Sequence, residues 1–316
     1  MAEYWFDSED GLRLFARVYA APAAAAPTVV CLHGLMRTGR DFEDLAMHLA
    51  AHHRVIVPDV RGRGLSARDS NFGNYQIPVY VADLMRALTG LGAARVSIIG
   101  TSMGGLMAMV LAAMQPAVVA GVVLNDVGPE VDKSGLERIR GYAGRAPPVR
   151  DWAGAVAQVR STYGSAWPGL DEARWEKIAR ASYRADAQGV PQPDADPLIA
   201  EPLKDTSKAA PDLWPLWGAI ARVPMLAIRG ADSDILSAAT LARMQREKPD
   251  LRVLTVANRG HAPLLDEPEC LAAIDGFLAG VRPAADAAAI GLRERGPPRP
   301  AAAGAACASR SYPPGF

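Results

Sequence analysis

The sequence predicts an α/β fold: a mostly parallel sheet with helices on both faces, interrupted by one inserted helical cap. Two observations carry this. Short continuous apolar runs of strand length alternate with stretches whose apolar residues recur at helical spacing, both early in the chain and again near its end. Between residues 131 and 214 the alternation stops, leaving helix candidates with proline-rich joints and no buried strand.

Taken in order, Tyr4 to Phe6 and Leu12 to Ala20, joined through Ser8-Glu9-Asp10-Gly11, read as a hairpin. Thr28 to Leu32 is a strand buried on both faces, ending at His33-Gly34. Phe42, Leu45 and Leu49 give helical spacing over Asp41 to Ala51, and Val55-Ile56-Val57 is a second buried strand, closed by Pro58-Asp59. A helix over Val79 to Leu91, a strand over Arg95 to Ile99, a helix over Met103 to Met114 and a strand over Val118 to Leu124 continue the series. After the insertion it resumes with the strand Met225 to Ile228, the helix Ala238 to Arg246, the strand Arg252 to Val256 and the helix Pro268 to Leu278. The insertion offers helices at Gly135–Tyr142, Asp151–Tyr163 and Asp171–Ala187, and holds Trp152, Trp167, Trp175 and Trp214, whose bland role is to form its own core. The expected organisation is therefore a core of residues 1–130 and 215–283, a helical cap of 131–214 over the C-terminal edge of the sheet, and a tail. That tail, 284–316, is rich in Ala, Pro, Gly and Arg without apolar periodicity and is expected to be disordered.

Half of the 316 residues are hydrophobic, and 34 basic residues balance 34 acidic ones. A neutral chain gives no reason to expect nucleic acid or an anionic membrane as partner, so a small-molecule substrate is the expectation. Cys31, Cys270 and Cys307 are scattered, with no pairing that suggests a metal site, and Cys31 sits in an apolar strand as a buried inert thiol. The first residues lack the basic start and apolar stretch of a secretory signal, and no apolar run is long enough to span a bilayer, so a cytoplasmic protein is expected.

Gly100-Thr101-Ser102-Met103-Gly104 is a Gly-x-Ser-x-Gly between an apolar strand and an apolar helix, the context of a nucleophile elbow. The sharp turn exposes the Ser102 hydroxyl, and the helix start presents backbone N–H groups to a developing oxyanion. A serine hydroxyl is a weak nucleophile and needs a base. His48, His52 and His53 lie on or just after a helix among polar residues and look solvent-exposed, while His33 opens a turn that it more naturally braces. His261, in the loop between a strand's C-terminal end and the last helix, is the base.

With His33-Gly34, Asp59-Val60-Arg61-Gly62-Arg63-Gly64-Leu65-Ser66, the elbow and Gly260-His261 in this order, the chain resembles the α/β-hydrolase family over about residues 3 to 280. The resemblance implies an oxyanion hole of the Leu35 and Met103 backbone N–H groups, a structural turn at Asp59–Ser66 with Arg61 held by hydrogen bonds, and an acid completing a Ser-His-Asp triad. In the usual family pattern the acid would stand at Ser233, flanked here by Asp232 and Asp234. A subset of the family's esterases carries it instead at the position of Asp126, in an Asp-x-x-Pro setting, with serine at the usual place. Asp126 is the leading candidate, with Asp234 and then Asp232 as alternatives; as bland roles, Asp126 caps the way into the insertion and Asp234 caps the next helix.

The resemblance implies a hydrolase that cleaves a carboxylic ester or related acyl bond of a small, largely uncharged substrate, without metal or organic cofactor. Carbon–carbon hydrolysis and lactone opening use similar triads, and some relatives act as ligand receptors. A serine at the elbow argues against dehalogenase and epoxide hydrolase chemistry, where the family uses an aspartate.

Overall fold

The computed structural model describes residues 1–23, 25–205 and 211–281. Eight strands form one sheet. In chain order they are β1 (Ala2–Asp7), β2 (Arg13–Tyr19), β3 (Thr28–Leu32), β4 (Arg54–Asp59), β5 (Val96–Thr101), β6 (Val119–Asn125), and, after a two-stranded pair β7 (Tyr183–Ala185) and β8 (Pro191–Pro193) in the insertion, β9 (Met225–Gly230) and β10 (Arg252–Val256). Their order across the sheet is β1-β2-β4-β3-β5-β6-β9-β10. β2 pairs antiparallel with β1 and β4, and every pairing from β4 to β10 is parallel. The strand order reverses around β3, so the C-terminal ends of β3, β5 and β6 meet near the switch, where such sheets bind ligands.

The helices are α1 (Glu43–Leu49), α2 (Ile77–Gly90), α3 (Met103–Met114), α4 (Lys133–Tyr142), α5 (Trp152–Tyr163), α6 (Glu172–Ser182), α7 (Glu201–Lys204), α8 (Trp214–Ala219), α9 (Ala238–Glu247) and α10 (Pro268–Gly280). Because strand side chains alternate faces, β3 sends Val30 and Leu32 into a cluster with Leu84 of α2 and Met107 of α3, and Val29 and Cys31 into one with Leu45 of α1 and Ile274 of α10. Each such buried aliphatic side chain contributes about 1.5–3 kcal/mol, which explains why the central strands are apolar on both faces.

Several boundaries differ from expectation. The predicted helix 41–51 begins with a 3₁₀ turn, Gly39–Phe42, capped by the Thr38 hydroxyl, before α1. β4 does not close at Pro58. The β3 partner runs out at Ile56 while the β2 partner continues to Asp59, so the proline lies where only one side of the strand is paired. α2 starts earlier than predicted, since Pro78 is in its first turn, where a missing N–H is harmless. The predicted helix 171–187 ends at Ser182, whose hydroxyl bonds back to the Ile178 carbonyl (2.8 Å), and the chain leaves as β7 against β8; the insertion is not purely helical. Trp152, Trp167 and Trp175 build the insertion's own core with Val156 and Ile178, but Trp214 packs instead against the sheet's core and under the Arg243 guanidinium. The expected tail, 284–316, and Cys307 lie outside the described residues. None of the described helices is long and apolar enough to cross a membrane.

The insertion is anchored to the Asp59–Ser66 turn. Gly64 N–H donates to the Asp194 carbonyl (2.8 Å), Asp196 N–H to the Gly62 carbonyl (2.8 Å), and the Tyr75 hydroxyl to the Asp196 carboxylate (2.7 Å). Within that turn Arg61, 1% exposed, donates to Asp83 (2.7 and 2.8 Å), Asp69 (2.7 Å) and Asp10 (2.9 Å). Burial opposes its charge, but these carboxylates more than offset it and raise its pKa.

Candidate active site

β5 ends at Thr101 and α3 begins at Met103, leaving Ser102 as the single hinge residue at φ 53°, ψ −117°. A non-glycine residue there is strained, and strain of this kind is held only where the surroundings over-determine it. They do so by close approach: a Cβ on Gly104 would overlap the Leu32 carbonyl, and one on Gly100 would overlap the Gly104 backbone. Ser102 N–H is fixed by the Asn125 carbonyl (3.0 Å).

The Ser102 hydroxyl lies 2.9 Å from His261 Nε2, and His261 Nδ1 lies 2.7 Å from Asp126 Oδ2. Asp126 is completely buried. An ionised carboxylate in that position needs its lone pairs occupied. Gly230 N–H donates to Oδ1 (2.9 Å) and the Ser233 hydroxyl to Oδ2 (2.6 Å), beside the histidine. These acceptor duties assign the imidazole proton to Nδ1 and leave Nε2 free to accept from the serine.

Asp126 follows β6 directly, and β6 lies beside β9, so the two strand ends deliver Asp126 and Ser233 to one spot. Asp234 turns away and forms a two-pronged pair with Arg138 of α4 (2.5 and 2.8 Å). Burial pushes its carboxyl up, but Arg138 more than offsets this and holds it below the usual range. Asp232 is exposed. The structure therefore joins Ser102, His261 and Asp126, and leaves Asp234 and Asp232 apart from them.

Gly34 packs against Ser102, whose Cβ lies 3.8 Å from where a Gly34 Cβ would stand, and Leu35 lines the same pocket as Ser102. Met103 opens α3, and its N–H has no carbonyl one turn earlier in the helix. Arg63, fully buried, holds the Leu35 carbonyl through Nε (2.9 Å) and reaches the Met103 sulfur at 3.4 Å. The same arginine thus braces both the Leu35 segment and the start of α3. His33 accepts from Val60 N–H at Nε2 (3.0 Å) and donates from Nδ1 to the Gly34 carbonyl (2.8 Å). Burial, aided by the Arg63 charge, lowers its pKa to about 4, which keeps it neutral. His48 and His52 are exposed, but His53 is half-buried, and burial lowers its pKa also. Cys31 and Cys270 are buried, with their thiols pushed up by burial.

Three further contributors were not foreseen. Asn125 donates to the Thr101 hydroxyl (3.0 Å) and the Pro263 carbonyl (2.9 Å), tying the elbow to the histidine loop. Trp167 of the insertion donates from its indole to the Ala262 carbonyl (2.8 Å). Arg37 lines the pocket, donating to Asp41 (2.7 and 2.5 Å) and Ser182 (2.6 Å), with Tyr163 and Trp167 facing its guanidinium. Only Arg37-x-x-x-Asp41, a helical ion-pair spacing, was a sequence signal for any of them. No cluster of His, Cys, Asp and Glu suited to a metal ion occurs among the described residues.

The sequence pattern of the alpha/beta hydrolase family matches residues 29–274. A 3-hydroxybutyrate-oligomer hydrolase of Cupriavidus necator is 34% identical over 80% of this chain and 88% of that protein. Among solved structures, an alpha/beta hydrolase from Novosphingobium aromaticivorans superposes with a TM-score of 0.83 at 44% identity, covering 88% of this chain and 98% of that one. The E-2-(acetamidomethylene)succinate hydrolase structure superposes at 0.75 with 25% identity, over 88% and 99% of the two chains. An eight-stranded, mostly parallel sheet, a match over most of the chain and relatives named as hydrolases lead to one conclusion: this chain belongs to the α/β-hydrolase family and is a hydrolase.

Proposed function

We propose that the protein is a serine ester hydrolase acting by two-step acyl transfer. The observation that carries this is the unbroken line of hydrogen bonds from Asp126 through His261 to a strained Ser102 that lines a pocket. In the first step Ser102 Oγ attacks the ester carbonyl while His261 Nε2 takes its proton. The oxyanion accepts hydrogen bonds from the Leu35 and Met103 N–H groups. His261 then protonates the departing alcohol, and water, deprotonated by the same nitrogen, releases the acid. Asp126 orients the ring and stabilises its protonated form.

The pocket above Ser102 is small, about 100 Å³, which favours a short group at the reacting carbonyl. The resemblance to a hydrolase of 3-hydroxybutyrate oligomers supports esters of short hydroxy acids as the substrate class. The test is hydrolysis of p-nitrophenyl acetate and of the 3-hydroxybutyrate dimer by wild type and Ser102→Ala. Wild type should turn over both, and the variant should fold normally while losing at least ~10⁴-fold in kcat. Full activity in the variant would remove Ser102 as nucleophile. Failure of wild type on every ester would redirect the assignment to carbon–carbon or lactone substrates.

A further inference from the structure

A larger cavity adjoins the catalytic pocket. A space of about 460 Å³ lies behind Met36, Tyr142 and Tyr163, which line both. Its walls combine apolar side chains such as Val159 and Pro197 with uncharged polar ones such as Thr162. Two arginines, Arg68 and Arg145, also line it, and no carboxylate does.

The charge pattern separates this cavity from its neighbours. Every cation around the catalytic pocket is neutralised: Arg37 by Asp41, Arg40 by Asp194, Lys177 by Asp44, and Arg174 by Asp44 and Asp266. A third space, of about 430 Å³, also touches the pocket through Arg40 and Lys177, but Glu43 and Glu176 line it and Glu176 pairs with Arg180. Arg68, by contrast, meets only the Pro193 carbonyl at 3.4 Å, and Arg145 makes no side-chain hydrogen bond or ion pair among the described residues. Both arginines are exposed residues on the wall of a partly apolar cavity, and guanidinium groups without a carboxylate partner there suit a carboxylate on an apolar chain.

We propose that this cavity takes the free-acid end of a linear hydroxyalkanoate ester, with Arg68 and Arg145 binding its terminal carboxylate while the scissile ester sits at Ser102. This rests on the ester-hydrolase reading and sharpens it: the enzyme cleaves acid-terminated oligomers in preference to capped ones.

The experiment compares kcat/KM for the 3-hydroxybutyrate trimer as free acid and as methyl ester, with p-nitrophenyl acetate as a reporter of the intact triad. The variants are Arg68→Gln, Arg145→Gln, their double, and Thr162→Trp, which fills the cavity without touching its charge. Wild type should favour the acid. Each arginine variant should lose about tenfold on the acid, chiefly in KM, equivalent to about 1.4 kcal/mol, with the methyl ester and the acetate nearly unchanged. Raising the salt to about 1 M, where screening acts over ~3 Å, should shrink the wild-type preference. Thr162→Trp should lose both trimers alike and keep the acetate. Equal wild-type rates on acid and methyl ester, or a double variant that keeps the preference, would overturn the proposal while acetate turnover leaves the ester-hydrolase reading standing. Absence of turnover on all three substrates would overturn both.

Discussion

Replacing Asp126 by asparagine tests the acid assignment without changing shape. Both carboxylate oxygens accept: Oδ1 from Gly230 N–H, Oδ2 from the Ser233 hydroxyl and His261 Nδ1. An asparagine offers one acceptor oxygen and one NH₂ donor. If its oxygen faces the histidine, the NH₂ meets the Gly230 N–H. If the NH₂ faces the histidine, the imidazole must place its proton on Nε2, and Ser102 loses its acceptor. Either way the charge that stabilises the imidazolium is gone. The expected loss in kcat is about 10⁴-fold, or about 5.5 kcal/mol of transition-state stabilisation. The buried donors left poorly matched cost a further ~1–3 kcal/mol of stability. Asp234→Asn only weakens a half-exposed pair with Arg138, worth ~1 kcal/mol or less, and should leave kcat within about twofold. The assay is steady-state hydrolysis of p-nitrophenyl acetate with thermal unfolding alongside. Near-normal kcat in folded Asp126→Asn, or a larger loss in Asp234→Asn, would refute the reasoning.

Three other outcomes are expected. His33 is neutral when folded, with a pKa near 4 against 6.5 unfolded, so the unfolded chain binds more protons between these values. Stability present above pH 6.5 should therefore fall as pH drops towards 4, by on the order of 3 kcal/mol from this group; a His33→Gln variant should show a shallower fall in urea midpoint over that window. Arg61→Met leaves the Asp83 and Asp69 carboxylates buried without their cation and should cost about 3–5 kcal/mol in urea unfolding; an unchanged midpoint would deny Arg61 that role. Gly104→Ala places a methyl against the Leu32 carbonyl and should destabilise by about 1–3 kcal/mol or more, with loss of activity as the elbow shifts; a fully active, equally stable variant would show that the approach can relax.

What was legible in the sequence was what depends on neighbours along the chain. Alternating apolar runs foretold the parallel sheet, and Gly100 to Gly104 foretold the elbow, because each is a local steric or solvation requirement. Which aspartate meets His261 was not readable in that way. Asp126 and Ser233 lie 107 residues apart, and only the pairing of β6 with β9 brings them together. The same holds for Arg63, whose bond to Leu35 depends on how two turns approach each other. The hairpin β7–β8 was missed because its strands are three residues long and β8 begins and ends in proline, Pro191 and Pro193, which carries no strand signal. His53 looked exposed from its polar neighbours, whereas its partial burial is decided by packing beyond its neighbours along the chain.

The stitching of the insertion to the Asp59–Ser66 turn has a mechanical consequence. The turn that makes those bonds is itself pinned by Arg61 to three acids and shares Arg63 with the Leu35 segment, so the two hydrogen bonds at Gly62 and Gly64 tie the roof to a densely bonded corner of the floor. To swing away, a roof fastened there would have to break those bonds. The chamber beneath it therefore takes its outline from the same bonds that fold the chain, as a vault takes its outline from its springing stones.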